Sequence, residues 1–409
     1  MTILIVTPYY NPDGGPSAPL FTMLSEELVK RGHFVSVISA LPHYPSGMIS
    51  KEFLGIGRST RIENGVQIIR VKIPSLNRAN IILRLIQFFI FQIRAAAVLR
   101  KHEYDIALFS NPCFSTGIPL FYSHFVKKKP YIYSIHDVYP NVGVKLKIFR
   151  HWFVIKMITL GESYCLRHAK FVRILSESFE KSLEIYNIPK ERLVLIYDWV
   201  DTSSIKPISR NNEFSSKYDL IDKFVILYAG NIGFSQGLDA LLKVAEEFIH
   251  DNSIQFVFVG DGAGKDSLLQ EFAKLDLVNV QFIPFQPRTL LPLVLASADI
   301  SIVILRKGLA TQSFPSKIFS ILASGRPILA CLDKNSDCYN LINRSKSGIC
   351  VEPGDTQKIR EEIINLKAHK AKRLELAKNG RKYVVNNHSV ESATDSFEKI
   401  FELAIRQNR

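Results

Sequence analysis

The 409-residue chain reads as an α/β protein built on parallel sheets in two domains. Short apolar runs that suit buried strands alternate with segments of helical spacing along its whole length. The chain is also longer than one hydrophobic core usually serves. The alternation restarts near residue 224, after a polar stretch, SRNNEFSSKYD, that suits a linker.

In the first half, strands are expected at 3–7 (ILIVT), 35–39, 67–71, 106–110, 131–136, 171–176 and 193–197. A helix over 19–31, stopped at Gly32, makes the opening a βαβ unit. The loop between the first strand and that helix, NPDGGPSAP, holds Gly14 and Gly15. Without a Cβ they let a ligand approach the backbone, at the carboxyl end of a strand, where such sheets bind ligands. His136 and Asp137 close the strand YIYSIH. Imidazole there suits a ligand hydroxyl or a departing proton, with a neighbouring carboxylate to orient it.

In the second half, a strand over 224–230 leads through NIGFSQG to a helix from Leu238 onward. FVFVGDGAGKDS follows; its Gly260 to Gly264 spacing leaves three residues where a Walker A loop needs four, and Asp266 follows the lysine, so that reading fails. A strand, a turn at 285–291 opened by Phe285, a helix and a further strand fill 280–305. Residues 311–330, TQSFPSKIFSILASGRPILA, then form a polar loop, a short helix over 318–323 and a strand. Ser313 or Ser316 suits its N-cap, Gly325 its end, and Pro327 stops its continuation. Free N–H groups at its start favour a phosphate, and Lys317 adds a mobile charge. A last helix is expected at about 390–406.

Five cysteines, with no C-x-x-C pair, argue against a zinc site or a disulfide framework and suit a reducing cytoplasm. The opening MTILIVTPYY has no basic segment and reads as a buried strand, not a signal peptide. Residues 1–200 hold 25 Lys and Arg against 14 Asp and Glu, a net +11, while the remainder carries +3. A basic first half suits a polyanionic partner, whether nucleic acid, anionic lipid or a diphosphate-linked substrate. Residues 80–101 are long and apolar enough to span a bilayer, but Arg84, Gln87, Gln92 and Arg94 interrupt them. They suit a core helix or one lying at a membrane surface. Residues 144–157, VKLKIFRHWFVIKM, interleave basic and aromatic residues as a peripheral lipid contact does, and KKK at 127–129 adds to it. No recognisable nucleic-acid motif accompanies that charge.

The ordered set of glycine loop, H-D, G-N-I-G-x-x-Q-G, V-G-D-G, P-S-K and A-x-G-x-P resembles the retaining glycosyltransferases of family 4, and within them the colanic-acid fucosyltransferase and O-antigen N-acetyl-L-fucosamine transferase branch. The family's two glutamate positions align with Gln312 and Ser320, and its two diphosphate-binding basic positions with Asn231 and Gln236. All four are neutral here. The resemblance implies the GT-B fold, two Rossmann-like domains facing a central cleft: residues 1–205 for the acceptor, residues 206–389 for the nucleotide-sugar, and a helix at 390–409 packed back on the first.

It further implies sugar transfer, with retention, from a UDP- or GDP-linked fucose-type or N-acetylated deoxysugar to a polyprenyl-diphosphate-linked saccharide. The setting would be O-antigen or capsule synthesis at the cytoplasmic face of the inner membrane. No cofactor, metal or nucleic acid is expected. His136, Asp137 and Lys317 are the expected catalytic residues. Donor binding is expected from Gly14, Gly15, Asn231, Gln236, Gly260, Asp261, Gly262, Phe285, Arg306, Lys307, Gln312, Ser316 and Ser320. The substituted signature residues equally suit a non-catalytic GT-B subunit, and the same nucleotide site suits a nucleotide-sugar epimerase-like enzyme. A nucleic-acid binder accounts for the charge alone.

Overall fold

β1 (Thr2–Val6) is buried along nearly its whole length, because sheet neighbours and covering helices leave a strand like ILIV no wet face. The computed structural model describes the whole chain apart from residues 16, 45, 78–79, 142–143, 145–150, 310–313 and 409. It divides into one unit of Met1–Tyr197 with Val390–Arg409 and a second of Asp198–Ser389.

The first unit holds an eight-stranded sheet in the order β3-β4-β2-β1-β5-β6-β7-β8. Its other strands are β2 (Phe34–Ala40), β3 (Arg58–Glu63), β4 (Val66–Val71), β5 (Ile106–Ser110), β6 (Tyr131–Ser134), β7 (Phe171–Ile174) and β8 (Leu193–Leu195). All pair in parallel except β3, which runs antiparallel to β4. The second unit's sheet, order β11-β10-β9-β12-β13-β14, is wholly parallel. It comprises β9 (Phe224–Ala229), β10 (Ile254–Val259), β11 (Val280–Ile283), β12 (Ile300–Ile304), β13 (Ile328–Cys331) and β14 (Gly348–Val351). Strand order reverses between β1 and β5 in one unit and between β9 and β12 in the other. These switch points open a crevice at the strands' carboxyl ends, where α/β sheets bind ligands.

The helices follow their local signals. Ala18–Lys30 starts with a proline in its first turn and ends before Gly32 at φ +86. Val390–Arg406 packs on it and against β5 and β6, with Phe397, Phe401 and Ala404 among its buried residues. Arg31 adds ion pairs to Asp395 (2.6 Å) and Glu398 (2.5 Å). Ile81–Leu99 is capped by the Asn80 side chain, which accepts from Ile82 N and Leu83 N. By length and composition it could cross a membrane, and one face is buried. Gln87 and Gln92 lie on that face and serve its packing. Gln87 donates to the carbonyls of Gly47, Pro74 and Leu76. Gln92 joins the Phe114 carbonyl to the Ile118 amide. Ile82, Ile86, Phe89 and Ile93 stay exposed on the other face.

Helices Cys113–Phe125 and Trp152–His168 share a buried carboxyl. Glu162 accepts from Cys113 N (2.7 Å) and the Tyr133 hydroxyl (3.0 Å). Burial pushes its pKa up to about 7, with those two hydrogen bonds pulling the other way. The folded protein therefore holds this proton above the pH at which the unfolded chain releases it, and stability drops as pH rises towards about 7. Glu162→Gln, neutral at every pH, is expected to melt a few degrees above the wild type at about pH 8, with the gap closing towards about pH 5. Thermal melts across that range check it.

Candidate functional site

At the carboxyl end of β9 the chain turns at Gly230, φ +136. A Cβ there would lie 3.3 Å from Lys317 Nζ, so the lysine packs on bare backbone. The loop after β10 lies directly on this turn. A Cβ on Gly260 would come within 1.9 Å of the Gly230 carbonyl oxygen, and one on Gly262 within 2.4 Å of Asn231 Oδ1. Backbone bonds lock the two loops, Ile232 N to Asp261 O (2.8 Å) and Gly264 N to Ile232 O (2.9 Å). Gly260 and Gly262 are thus required because one loop crosses another, a packing reason the sequence pattern does not display. The Asp261 side chain is mostly exposed, with one oxygen on its neighbour's Gly262 N–H.

Lys317 opens the helix Lys317–Ala323. Its Nζ lies 3.8 Å from the centroid of the Tyr228 ring, buried, and without a hydrogen-bond partner among the described residues. Burial lowers its pKa to about 7. The Tyr228 hydroxyl in turn donates to Asn231 O (2.5 Å), so ring, amine and loop are held together. An aromatic face attracts a cation but does not replace its hydration.

The other expected donor residues divide. Asn231, Gln236, Gly260, Asp261, Gly262, Arg306 and Lys317 stand on adjoining loops at the ends of β9, β10 and β12. Gln236 Oε1 accepts from Gly233 N (3.0 Å) and closes its own turn. Arg306 was expected to supply phosphate charge, but its guanidinium is paired with Asp239 (2.6 Å) and donates to Phe234 O (2.8 Å). It braces the loop. Lys307 beside it is exposed. The next amide, Gly308 N, is held by both oxygens of Asp333. Ser316 sits at the N-cap of the helix in helical geometry with no side-chain cap bond, and Ser320 is half-buried. Phe285 follows the edge strand β11 with its ring exposed. Gln312, like Ser313, lies outside the described residues.

In the first unit, the loop after β1 is organised by a residue the sequence reading passed over. Asp13, buried, accepts from Gly15 N (2.9 Å) and His43 N (2.9 Å), and His43 Nδ1 lies 3.3 Å from the same carboxylate. Burial alone would raise this carboxyl, but the bonds from His43 and Gly15 outweigh it and hold the pKa below its ordinary value. The His43 ring stacks on Tyr9 at 5.4 Å. A Cβ on Gly15 would enter the Tyr9 ring at 2.4 Å, whereas one on Gly14 would touch Tyr44 at an ordinary 3.6 Å. His43 follows β2 and Asp13 follows β1, thirty residues apart. Only the parallel β1–β2 pairing unites them.

His136 is set by Asn111, at the end of β5. Asn111 Oδ1 accepts from His136 N (2.8 Å), and its Nδ2 donates to Asp137 O (2.5 Å). The imidazole meets the Phe21 ring edge-on at 5.6 Å. Among the described residues, no cluster of three or more His, Cys, Asp or Glu is arranged to hold a metal.

Residues 20–204 match the family model described as Glycosyltransferase Family 4, and residues 211–383 the model described as Glycosyl transferases group 1. WcaI of Escherichia coli (strain K12), named for colanic acid biosynthesis glycosyl transfer, is 24% identical over 86% of this chain and 89% of its own. WbjE of Pseudomonas aeruginosa, named as a glycosyltransferase, is 22% identical over 69% of this chain and 72% of its own. In fold, the chain is similar to HepE of Anabaena, solved with UDP, at TM-score 0.73 and 16% identity, covering 98% of this chain and 100% of that one. It is also similar to WaaG, a glycosyltransferase involved in lipopolysaccharide biosynthesis, at TM-score 0.67 and 15% identity, covering 96% and 98%.

A lysine whose folded pKa lies below its unfolded value costs stability at neutral pH and below, and that cost fades as pH rises from about 7 to about 10.5. Lys317→Met should therefore melt above the wild type at about pH 6, with a smaller gap at about pH 9, while its nucleoside-diphosphate affinity falls about 10- to 100-fold. Calorimetry and melts on the same samples check both halves. In the first unit, Gly15→Ala should cost about 1–3 kcal/mol of stability in denaturant titrations, and Gly14→Ala close to nothing.

Proposed function

Because the chain belongs to the GT-B glycosyltransferases, we propose that it moves a sugar from a nucleotide-sugar to a lipid-linked saccharide during synthesis of a bacterial surface polysaccharide, with retention at the anomeric carbon. The observation that carries this is the buried amine of Lys317 at the switch point of the second sheet. A nucleoside diphosphate is the ligand whose charge answers that amine. The bond between the anomeric carbon and the diphosphate oxygen breaks, and Lys317 stabilises the charge that collects on the leaving group. The acceptor hydroxyl bonds to the anomeric carbon from the same face, and its proton passes to the departing diphosphate. His136 is assigned to a sugar hydroxyl. No metal takes part.

Support for the donor comes from likeness. HepE was solved with UDP and with UDP-glucose, and WcaI is named for colanic acid biosynthesis. The branch-like wording G-N-I-G-x-x-Q-G and P-S-K favours a fucose-type or N-acetylated deoxysugar on UDP or GDP. Neutral Asn231 and Gln236, with Arg306 engaged by Asp239, leave Lys317 and exposed Lys307 as the cations for the phosphates.

The acceptor reading draws on the net charge of +11 in residues 1–200. It draws also on the exposed Ile82, Ile86, Phe89 and Ile93 stripe. Cationic and apolar surface together suit the cytoplasmic side of an anionic membrane, where a polyprenyl diphosphate would be presented.

Calorimetric titration of the purified protein with UDP, GDP, ADP and dTDP tests the donor. One diphosphate should bind selectively, and Lys317→Ala should weaken that binding. Absence of binding by all four, with lipid present, would favour a non-catalytic subunit instead.

A further inference from the structure

The first unit has a second concave feature, at the end of its sheet opposite the His136 loop. A basin of about 600 Å³ lies where β6 and β7 begin and where helices Cys113–Phe125 and Trp152–His168 end. Lys128, Lys129, Arg167 and Lys170 line it together with His124 and His168. Glu191 is the acidic group in that lining, and the nearby Glu103 is taken by Lys127 at 2.6 Å. Among the described residues no ion pair engages Lys128, Lys129 or Lys170.

Cations near helix C-termini are often there for the helix itself. That need is met here by another side chain. Arg192 donates to the carbonyls of Leu166, Arg167 and Ala169, the last turn of Trp152–His168. Arg192 thus serves the end of that helix, while Lys170 Nζ donates to the Gln407 carbonyl (3.3 Å). The His124 pKa is lowered by burial and by the neighbouring His168 and Lys170, which agrees with an electropositive floor.

The rim is apolar. Phe121 and Phe125 are about half exposed and stack at 4.8 Å, and both lie against Tyr164. His124 and His168 connect this aromatic group to the basin, with ring centroids 4.9 Å apart. A soluble anion would use the lysines and leave the phenylalanines wet. An anionic phospholipid uses both, its phosphate among the cations and its acyl chains against the rings.

We propose that this basin binds the headgroup phosphate of an anionic phospholipid, as a docking site separate from the donor and acceptor loops. It rests on the membrane reading above and gives that reading a specific contact.

The test is co-sedimentation of the full chain with phosphatidylcholine vesicles, with and without phosphatidylglycerol. Wild-type protein should pellet with the mixed vesicles only. Lys128→Glu/Lys129→Glu/Lys170→Glu should bind them at least ~10-fold more weakly at low salt. Phe121→Ser/Phe125→Ser should also weaken binding. An unchanged circular-dichroism spectrum and thermal melt certify the fold of each variant, and Lys128→Gln/Lys129→Gln replaces the triple variant if it fails that check.

If the charge variants bind as wild type while Ile86→Ser/Phe89→Ser does not, the basin is not the lipid site although the membrane reading stands. Wild-type protein that ignores both vesicle types would overturn both. Saturable binding of inorganic phosphate, lost in the charge variants, with no gain from phosphatidylglycerol, would reassign the basin to a soluble anion.

Discussion

A single buried amine sets the requirements for the second unit. Lys317 Nζ rests 3.8 Å from the centre of the Tyr228 ring and against the bare backbone of Gly230, with its pKa drawn down to about 7. An unpaired ammonium in that position is a standing cost to the fold. Its neighbours are arranged around that cost. Gly230 lacks a Cβ where Nζ needs room, Gly260 and Gly262 let the next loop lie on the first, and Arg306 with Asp239 fastens the loop's far end.

The first unit solves a related problem with opposite charge. Asp13 is buried at the end of β1, yet bonds from Gly15 and His43 keep its pKa low. Tyr9 fills the space a side chain on Gly15 would need. Both units place their polar machinery at the carboxyl ends of strands flanking a reversal in order, β1 with β5 and β9 with β12. At the opposite end of the first sheet, where β6 and β7 begin, lysines and arginines gather beside exposed phenylalanine rings.

Much of this was legible from the chain. Strands such as FVILYA and ILAC are apolar throughout because both faces are covered, and apolar runs between turn residues report that directly. β3 was not foreseen: RSTRIE is an exposed edge strand held by its pairing to β4 and by little burial of its own. Gly15 and Lys317 stood out by local pattern. What Lys317 touches did not, because Tyr228 lies on another strand. The Asp13–His43 contact was invisible for the same reason. At Arg306 the charge was legible and its ion-pair partner, Asp239, was not. Residue type was readable where the cause was local, and role was lost where another element supplied the partner.

The claim that Lys317 is the diphosphate's counter-charge predicts a proton. At about pH 8 a lysine with a pKa near 7 is mostly neutral, and a bound diphosphate should charge it. Calorimetric titration in buffers of differing ionisation enthalpy measures that proton directly. The account predicts uptake of about one proton per nucleotide at that pH, fading towards acid pH and absent in Lys317→Met. Binding without proton uptake, or with uptake unchanged by Lys317→Met, would contradict it.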